Sequence, residues 1–446
     1  MLANFLWQSP TPSQAASAQT PSPKPPTSQD RENLANLAKS SPATAFLLSS
    51  QAARQSDFML ARQILIAGLA AYPQNTQLQN QALVVFLAAG DFARSVSAAK
   101  NYPLSEEAKI LANLVMANHA IVTGDMALAT RILTESNANI KGDVLLPVLL
   151  AHLAAAGRDA QKSTDKIYAM LDGIKARPNY RVYYYYHILL LAEQLGDAER
   201  TQAAFDSLSE ATAAIAGNEV TLSLPLARAM GRVLEKQQFF DAAAKIYRNT
   251  SLSLSEPRIL AADIARASAG QNRPSDSALA RPSLHDLIAM AYQDTANFMQ
   301  REGENNALYS LLMFRLIEQI TPQNPENMIY LAESLTSLNQ DEDAIALYQR
   351  VASDPVWGWH ARLNRAILLD RIGNKEAATT EFEKLARERK DRSDAIGQLA
   401  DIARRDHKYS AALAYMTQAL AQMADNAPNR WLLLYQRAGI YCQKIS

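Results

Sequence analysis

The stretch AAGDFARSV, residues 88–96, returns as VTGDMALAT, residues 122–130, so that Gly90 and Gly124 stand 34 residues apart in the same local setting. Each is followed by an aspartate, then a hydrophobic residue, with a small residue five positions on. Self-similarity at such a period marks a chain built from one supersecondary unit used many times, none of which can bury its apolar face alone. Ser56 lies 34 residues before Gly90, and Gly157, Gly196 and Gln238 continue the series after Gly124 with small insertions. Near the C-terminus Asn339, Gly373 and His407 are again spaced by 34.

In that last trio four columns repeat together. Ala332, Ala366 and Ala400 lie seven residues before the marker, Ala344, Ala378 and Ala412 five after it, and Tyr348, Phe382 and Met416 nine after it. A small residue in each of two helices lets their backbones approach, a large apolar one fills the gap beside them, and the marker, able to reach φ > 0, makes the turn. Pro-containing stretches at 72–77, 321–327 and 353–359 stop one helix and start the next. Asn75 and Asn324 are placed to cap, and Pro325 sits at the first helical position. The chain has 446 residues, too many for one compact core, and 15 glycines in an Ala- and Leu-rich composition suit helix better than sheet. The expected fold is all-α, a right-handed superhelical solenoid of about ten antiparallel helix pairs with an exposed concave groove.

These columns resemble the tetratricopeptide repeat superfamily, whose unit has small-residue, aromatic and proline positions of this kind. The resemblance covers most of residues 43–446, loosely from about 140 to 300, and its proline column is degenerate, with Pro355 alone near the expected place among the last three units. The overall style, including RWLLLYQRAGIY near the end, is similar to multi-repeat proteins of alphaproteobacteria. It implies a protein that holds other proteins in its groove. It does not imply the clamp that grips chaperone C-termini. The positions for that clamp's basic and amide side chains carry Ile329, Glu333, Asn364, Asp394 and Gln398, of which only Asn364 matches, and two would repel a carboxylate.

The domain organisation expected from composition has four parts. Residues 1–33 form a disordered Pro/Ser/Thr-rich lead, 34–269 an N-terminal array, 270–283 a polar, Pro-containing loop, and 284–446 a C-terminal array whose last repeat is incomplete. The lead has no basic start and too short an apolar run for a signal peptide, which favours the cytoplasm; its composition keeps the periplasm as the alternative.

Chemistry is sparse. Lysine plus arginine is 44 and aspartate plus glutamate 44, so there is no basic excess to draw the chain onto nucleic acid. Cys442 is the single cysteine, and no phosphate-cradling, zinc-protease, nucleophile-elbow or dinucleotide motif occurs. The six histidines form no metal-spaced cluster; His119 and His152 recur at equivalent repeat positions and read as packing. No apolar run reaches the ~20 residues of a membrane span. No catalytic residue, metal or cofactor is expected, and the chain reads as no enzyme.

Two sets of residues stand out as partner surfaces. In RPNYRVYYYYHILLLAEQLGD, residues 177–197, counting back from Gly196 puts Tyr185 in the core and Tyr183, Tyr186 and His187 on the groove, with Arg181 near enough to meet a carboxylate. Four adjacent tyrosines also suit a helix that is part core and part surface filler. At the C-terminus Trp431, Leu434 and Tyr435 share a helical face that a further helix would cover, which suggests self-association through an uncapped end. The functional expectation is a non-catalytic scaffold or adaptor that binds a peptide or helix in its groove. The alternatives are a structural subunit of a cell-envelope assembly or the regulatory arm of a truncated enzyme.

Overall fold

The computed structural model describes residues 27–139, 143–216, 222–274, 282–301, 307–423 and 430–445. They form two compact units, residues 1–327 and 328–446. Among the described residues every regular element is helical. The first unit begins with α1 (Ser28–Leu37), α2 (Pro42–Arg54), α3 (Phe58–Ala71), α4 (Thr76–Ala88), α5 (Phe92–Asn101), α6 (Glu106–Val122), α7 (Met126–Asn139) and α8 (Leu145–Ala155). It continues through α9 (Thr164–Ala169), α10 (Asp172–Lys175), α11 (Arg181–Leu195), α12 (Ala198–Ala216), α13 (Leu224–Lys236), α14 (Phe240–Ser251), α15 (Ala261–Ser268), α16 (Leu284–Arg301) and α17 (Ala307–Ile320). The remaining helices are α18 (Pro325–Ser337), which runs across the unit boundary, α19 (Asp341–Val351), α20 (Gly358–Arg371), α21 (Lys375–Glu388), α22 (Asp394–Arg405), α23 (Tyr409–Gln422) and α24 (Arg430–Ile445).

The turn markers are the most repetitive feature. Ser56, Gly90, Gly124, Gly196, Gln238, Asn339, Gly373 and His407 all have φ between 59° and 90°, and Gly270 joins them. At each one the N–H of the next residue donates to the carbonyl five residues back, as Asp91 does to Phe86 at 2.8 Å and Asn374 to Leu369 at 2.8 Å. This six-to-one bond with a left-handed residue closes a helix C-terminus and turns the chain back on itself. Gly157 departs from the series: it makes no such bond, and α8 runs out instead into a short 3-10 turn at Ala160–Lys162. The expected caps are also present, with Asn75 Oδ1 accepting from Leu78 N at 3.0 Å and Asn324 Oδ1 from Asn327 N at 3.2 Å.

In the second unit the repeated columns are the core. Ala332, Ala344, Ala366, Ala378, Ala400 and Ala412 are fully buried, and Tyr348, Phe382 and Met416 fill the space beside them. The small side chains let α20 lie close on α21 and α22 on α23. The helix α24 covers α23 through Leu433 and Ile440.

Two boundaries differ from the composition-based reading. Residues 1–26 of the lead lie outside the described residues, but 28–33 belong to α1, because Thr27 and Asp30 form a reciprocal capping box that starts a helix there. The stretch 270–283 falls inside the first unit, of which its residues 275–281 are not described. The unit extends past it because α16 and α17 do not begin a new array. They turn back onto α8, α6 and α4.

Candidate functional site

α11 has the sequence RVYYYYHILLLAEQL, apolar or aromatic on every face, and such a helix must be covered on more than one side. Its partner α12 covers one side, while α8 and residues of α16 cover the other. Tyr183, Tyr186 and His187 are consequently buried, the last completely. Tyr185, expected in the core, is half-buried and packs edge-on against Tyr184 at 5.1 Å. Arg181 stays exposed at the helix start. The three ring-bearing residues do meet on one face, but that face presents no open surface, since the occupant opposite them is the chain itself.

The contacts between that face and α16 are specific. Tyr186 Oη donates to Met290 Sδ at 3.7 Å, and His187 Nε2 stands 3.6 Å from Asp294 Oδ2. Tyr183 Oη reaches the Val144 carbonyl at 3.3 Å, and its ring lies edge-on to His187 with centroids 4.5 Å apart. Behind His187 the polar chain continues: its Nδ1 is 3.5 Å from His152 Nε2, and His152 Nδ1 is 3.0 Å from Gln194 Oε1.

The proton positions follow from one fixed bond. Gln194 Nε2 donates to the His152 carbonyl at 3.1 Å, so Gln194 Oε1 is an acceptor and His152 Nδ1 carries the hydrogen. A neutral His152 then accepts at Nε2 from His187 Nδ1–H, and His187 Nε2 is left as an acceptor facing Asp294. The 3.6 Å between His187 Nε2 and Asp294 Oδ2 is too long for a hydrogen bond, and two facing acceptors so close are better tolerated with the carboxyl protonated than ionised. The ionisation tendencies agree: burial pushes the Asp294 carboxyl up to about 8. Burial lowers His152 to about 4 against a smaller opposing effect of Gln194, and burial then His152 hold His187 well below its ordinary value.

Further along the same groove α17 lies on α6 and α4. Asn118, fully buried on α6, donates through Nδ2 to the Leu316 carbonyl at 3.0 Å and accepts from Tyr292 Oη at 2.8 Å. Arg315 Nε donates to the Ala88 carbonyl at 3.0 Å, and its guanidinium is held in turn by Glu318 at 2.8 Å. A β-carbon at Gly90 would stand 3.1 Å from Arg315 Nη1, so the left-handed glycine that ends α4 also makes room for this arginine.

None of Asn118, Tyr292, Asp294 or Arg315 stood out in the sequence. The usable signal was α17 itself: residues 309–317 are buried without interruption, the mark of a helix enclosed on all sides.

A second polar cluster lies at the other end of α11. Glu193 accepts from Arg232 Nη2 at 2.8 Å and Lys236 Nζ at 2.9 Å; burial raises its carboxyl, but the two cations outweigh this and hold it below the ordinary range. Glu235 accepts from Tyr247 Oη at 2.9 Å and Arg266 Nη2 at 2.7 Å, and Asp263 from Arg266 at 2.8 Å and Arg273 at 2.7 Å. Glu193, Arg232, Glu235, Lys236 and Arg273 line a cavity of about 510 Å³. Arg232, Lys236, Arg266 and Arg273 share Glu193, Glu235 and Asp263 in connected ion pairs, as a structural network does.

The C-terminal residues behave differently. Trp431 is 66 % exposed, Tyr435 74 % and Leu434 41 %, on the side of α24 away from α23. Among the described residues no group of three or more histidine, cysteine, aspartate or glutamate side chains is placed to hold a metal ion, and no helix is long and apolar enough to cross a membrane.

No protein-family model matches the chain, and no curated protein does. Among solved structures it is similar to a chain of the Cut9–Hcn1 hetero-tetramer of the APC/C, at 14 % identity over 94 % of this chain and 82 % of that one, with a TM-score of 0.32. It is also similar to yeast Tom70, at 13 % identity over 90 % of this chain and 96 % of that one, with a TM-score of 0.31. Similarity this low adds nothing to the helix-pair architecture, which rests on the turns and buried columns above.

Proposed function

We propose that this chain of tetratricopeptide-like helix pairs is a non-catalytic scaffold that holds a helical segment of another protein against the inner faces of its first unit. The observation that carries the reading is the way α4, α6, α8 and α11 already grip two helices, with side chains such as Asn118 and His187 aimed at backbone and polar groups of the occupant. A surface built to pair with helices offers large apolar area for affinity and a few buried polar groups for selectivity. The test is affinity capture from the native cell with chemical cross-linking and mass spectrometry. A partner cross-linked to residues of the first unit supports the reading; capture of no protein above an inert control sinks it.

The exposure of Trp431, Leu434 and Tyr435 favours a second reading, a subunit that joins its neighbours through α24. In that case Trp431→Ser with Tyr435→Ser abolishes association, and a wild-type chain that is monomeric at high concentration and captures nothing through α24 rules it out.

A further inference from the structure

The pair α16–α17 stands apart from the sequential packing of the first unit. In a repeat array each pair contacts its chain neighbours, yet this pair makes its defining bonds across 104, 174, 198 and 227 residues, from Tyr186 to Met290, Asn118 to Tyr292, Asn118 to Leu316 and Ala88 to Arg315. It occupies the inner faces of four successive first helices, the place where a partner segment would lie.

We infer that these inner faces are a receptor surface for a two-helix hairpin, occupied at rest by the chain's own α16–α17 and yielded to a partner hairpin that offers a hydroxyl to Asn118, a guanidinium to the Ala88 carbonyl and a donor within hydrogen-bond reach of His187 Nε2. The inference rests on the scaffold reading and adds the class of partner and the means of control. Its physical basis is the character of the interface. Among the buried apolar side chains of the hairpin, such as Leu311, Met313 and Leu316, the interface carries Asn118, His187, Tyr292 and Arg315, polar groups that water can serve when the hairpin leaves.

The fit is also incomplete. Asp294 Oδ2 on α16, His187 Nε2 opposite it, and Ser310 Oγ and Gln319 Oε1 on α17 are buried without a hydrogen-bond partner from the protein. A resident that leaves polar atoms unanswered can be outcompeted by a hairpin that answers them. The resident also imposes a threshold, because a partner's apparent affinity falls in proportion to the fraction of chains whose groove is open.

The test uses full-length chain and a fluorescent synthetic peptide of residues 284–320 as the probe. Tyr292→Phe with Arg315→Ala weakens the resident hairpin and leaves the groove untouched. The double variant is expected to bind the probe roughly ten- to hundredfold more tightly than the wild type. Hydrogen exchange should show α16–α17 opening while α20–α23 keep their protection. Equal probe affinity in the two chains overturns the inference, as does a wild type in which α16–α17 amides exchange only together with those of α4, α6 and α8. Should the double variant fail to fold, Tyr292→Phe alone gives a smaller change of the same sign. Cellular capture of a partner by a chain whose hairpin never opens removes this inference and leaves the scaffold reading intact; an opening hairpin with no partner captured does the reverse.

Discussion

Replacing Asp294 by asparagine tests the proton order of the buried chain from Asp294 through His187 and His152 to Gln194. An acid whose folded pKa is raised from 3.8 to about 8 contributes full stability below the lower value and loses it as pH rises through the upper one, at about 1.4 kcal/mol per pH unit. The histidines carry the opposite sign. Their folded values lie below 6.5, so their contribution is present above 6.5 and lost as pH falls. The other titratable groups near Asp294 are Tyr183 and Tyr186, which burial holds neutral throughout. Docking of α16 in the wild type is therefore strongest near pH 6.5 and weakens on both sides. From pH 6.5 to 9 the ionisation of Asp294 costs about 2 kcal/mol, offset by under about 1 kcal/mol from the histidines. An asparagine is of similar size and cannot ionise, so Asp294→Asn removes the alkaline loss and retains the acid one. Urea titrations at pH 6.5 and 9, read by hydrogen-exchange pulse labelling of α16, report this region alone, which a whole-chain signal from two units would not. Parallel behaviour of wild type and variant between the two pH values would refute the proton order.

Three further outcomes are expected. Asn118→Ala leaves the Leu316 carbonyl and the Tyr292 hydroxyl buried without a partner and should cost about 2–4 kcal/mol, seen as faster exchange across α16–α17; unchanged protection would deny Asn118 its role as the key of the groove. Gly231→Ala places a β-carbon 2.2 Å from the buried Tyr247 ring and should destabilise by about 3 kcal/mol or more, whereas Gly124→Ala, with φ of +84° and no atom within 4 Å, should cost only about 1–2 kcal/mol in thermal unfolding. Trp431→Ser with Tyr435→Ser should leave the melting of the second unit within about 0.5 kcal/mol of wild type, while light scattering reports whether self-association is lost.

The repeat was legible in the sequence because its causes are local. A left-handed turn needs glycine or a tolerant residue at one position, close helix approach needs alanine at two more, and the spacing is set by the length of two helices. Ser56, Gly90, Gly124 and the alanine columns of the second unit therefore stand where the pattern put them, and Gly157 departs because its helix ends in a different kind of turn. Helical phase put Tyr183, Tyr186 and His187 on one face, where they are buried, but the same phase put in the core Tyr185, which is only half-buried.

What occupies the groove was not local. Nothing near Asn118 in sequence announces Tyr292 or Leu316, 174 and 198 residues away, and nothing near Ala88 announces Arg315. Helical phase can say that a side chain points inward; only the tertiary structure brings the returning hairpin against it. That hairpin makes a stripe of apparent binding residues into a buried interface, because an apolar face and its polar keys are satisfied by whichever helix reaches them, and here the chain's own α16–α17 does.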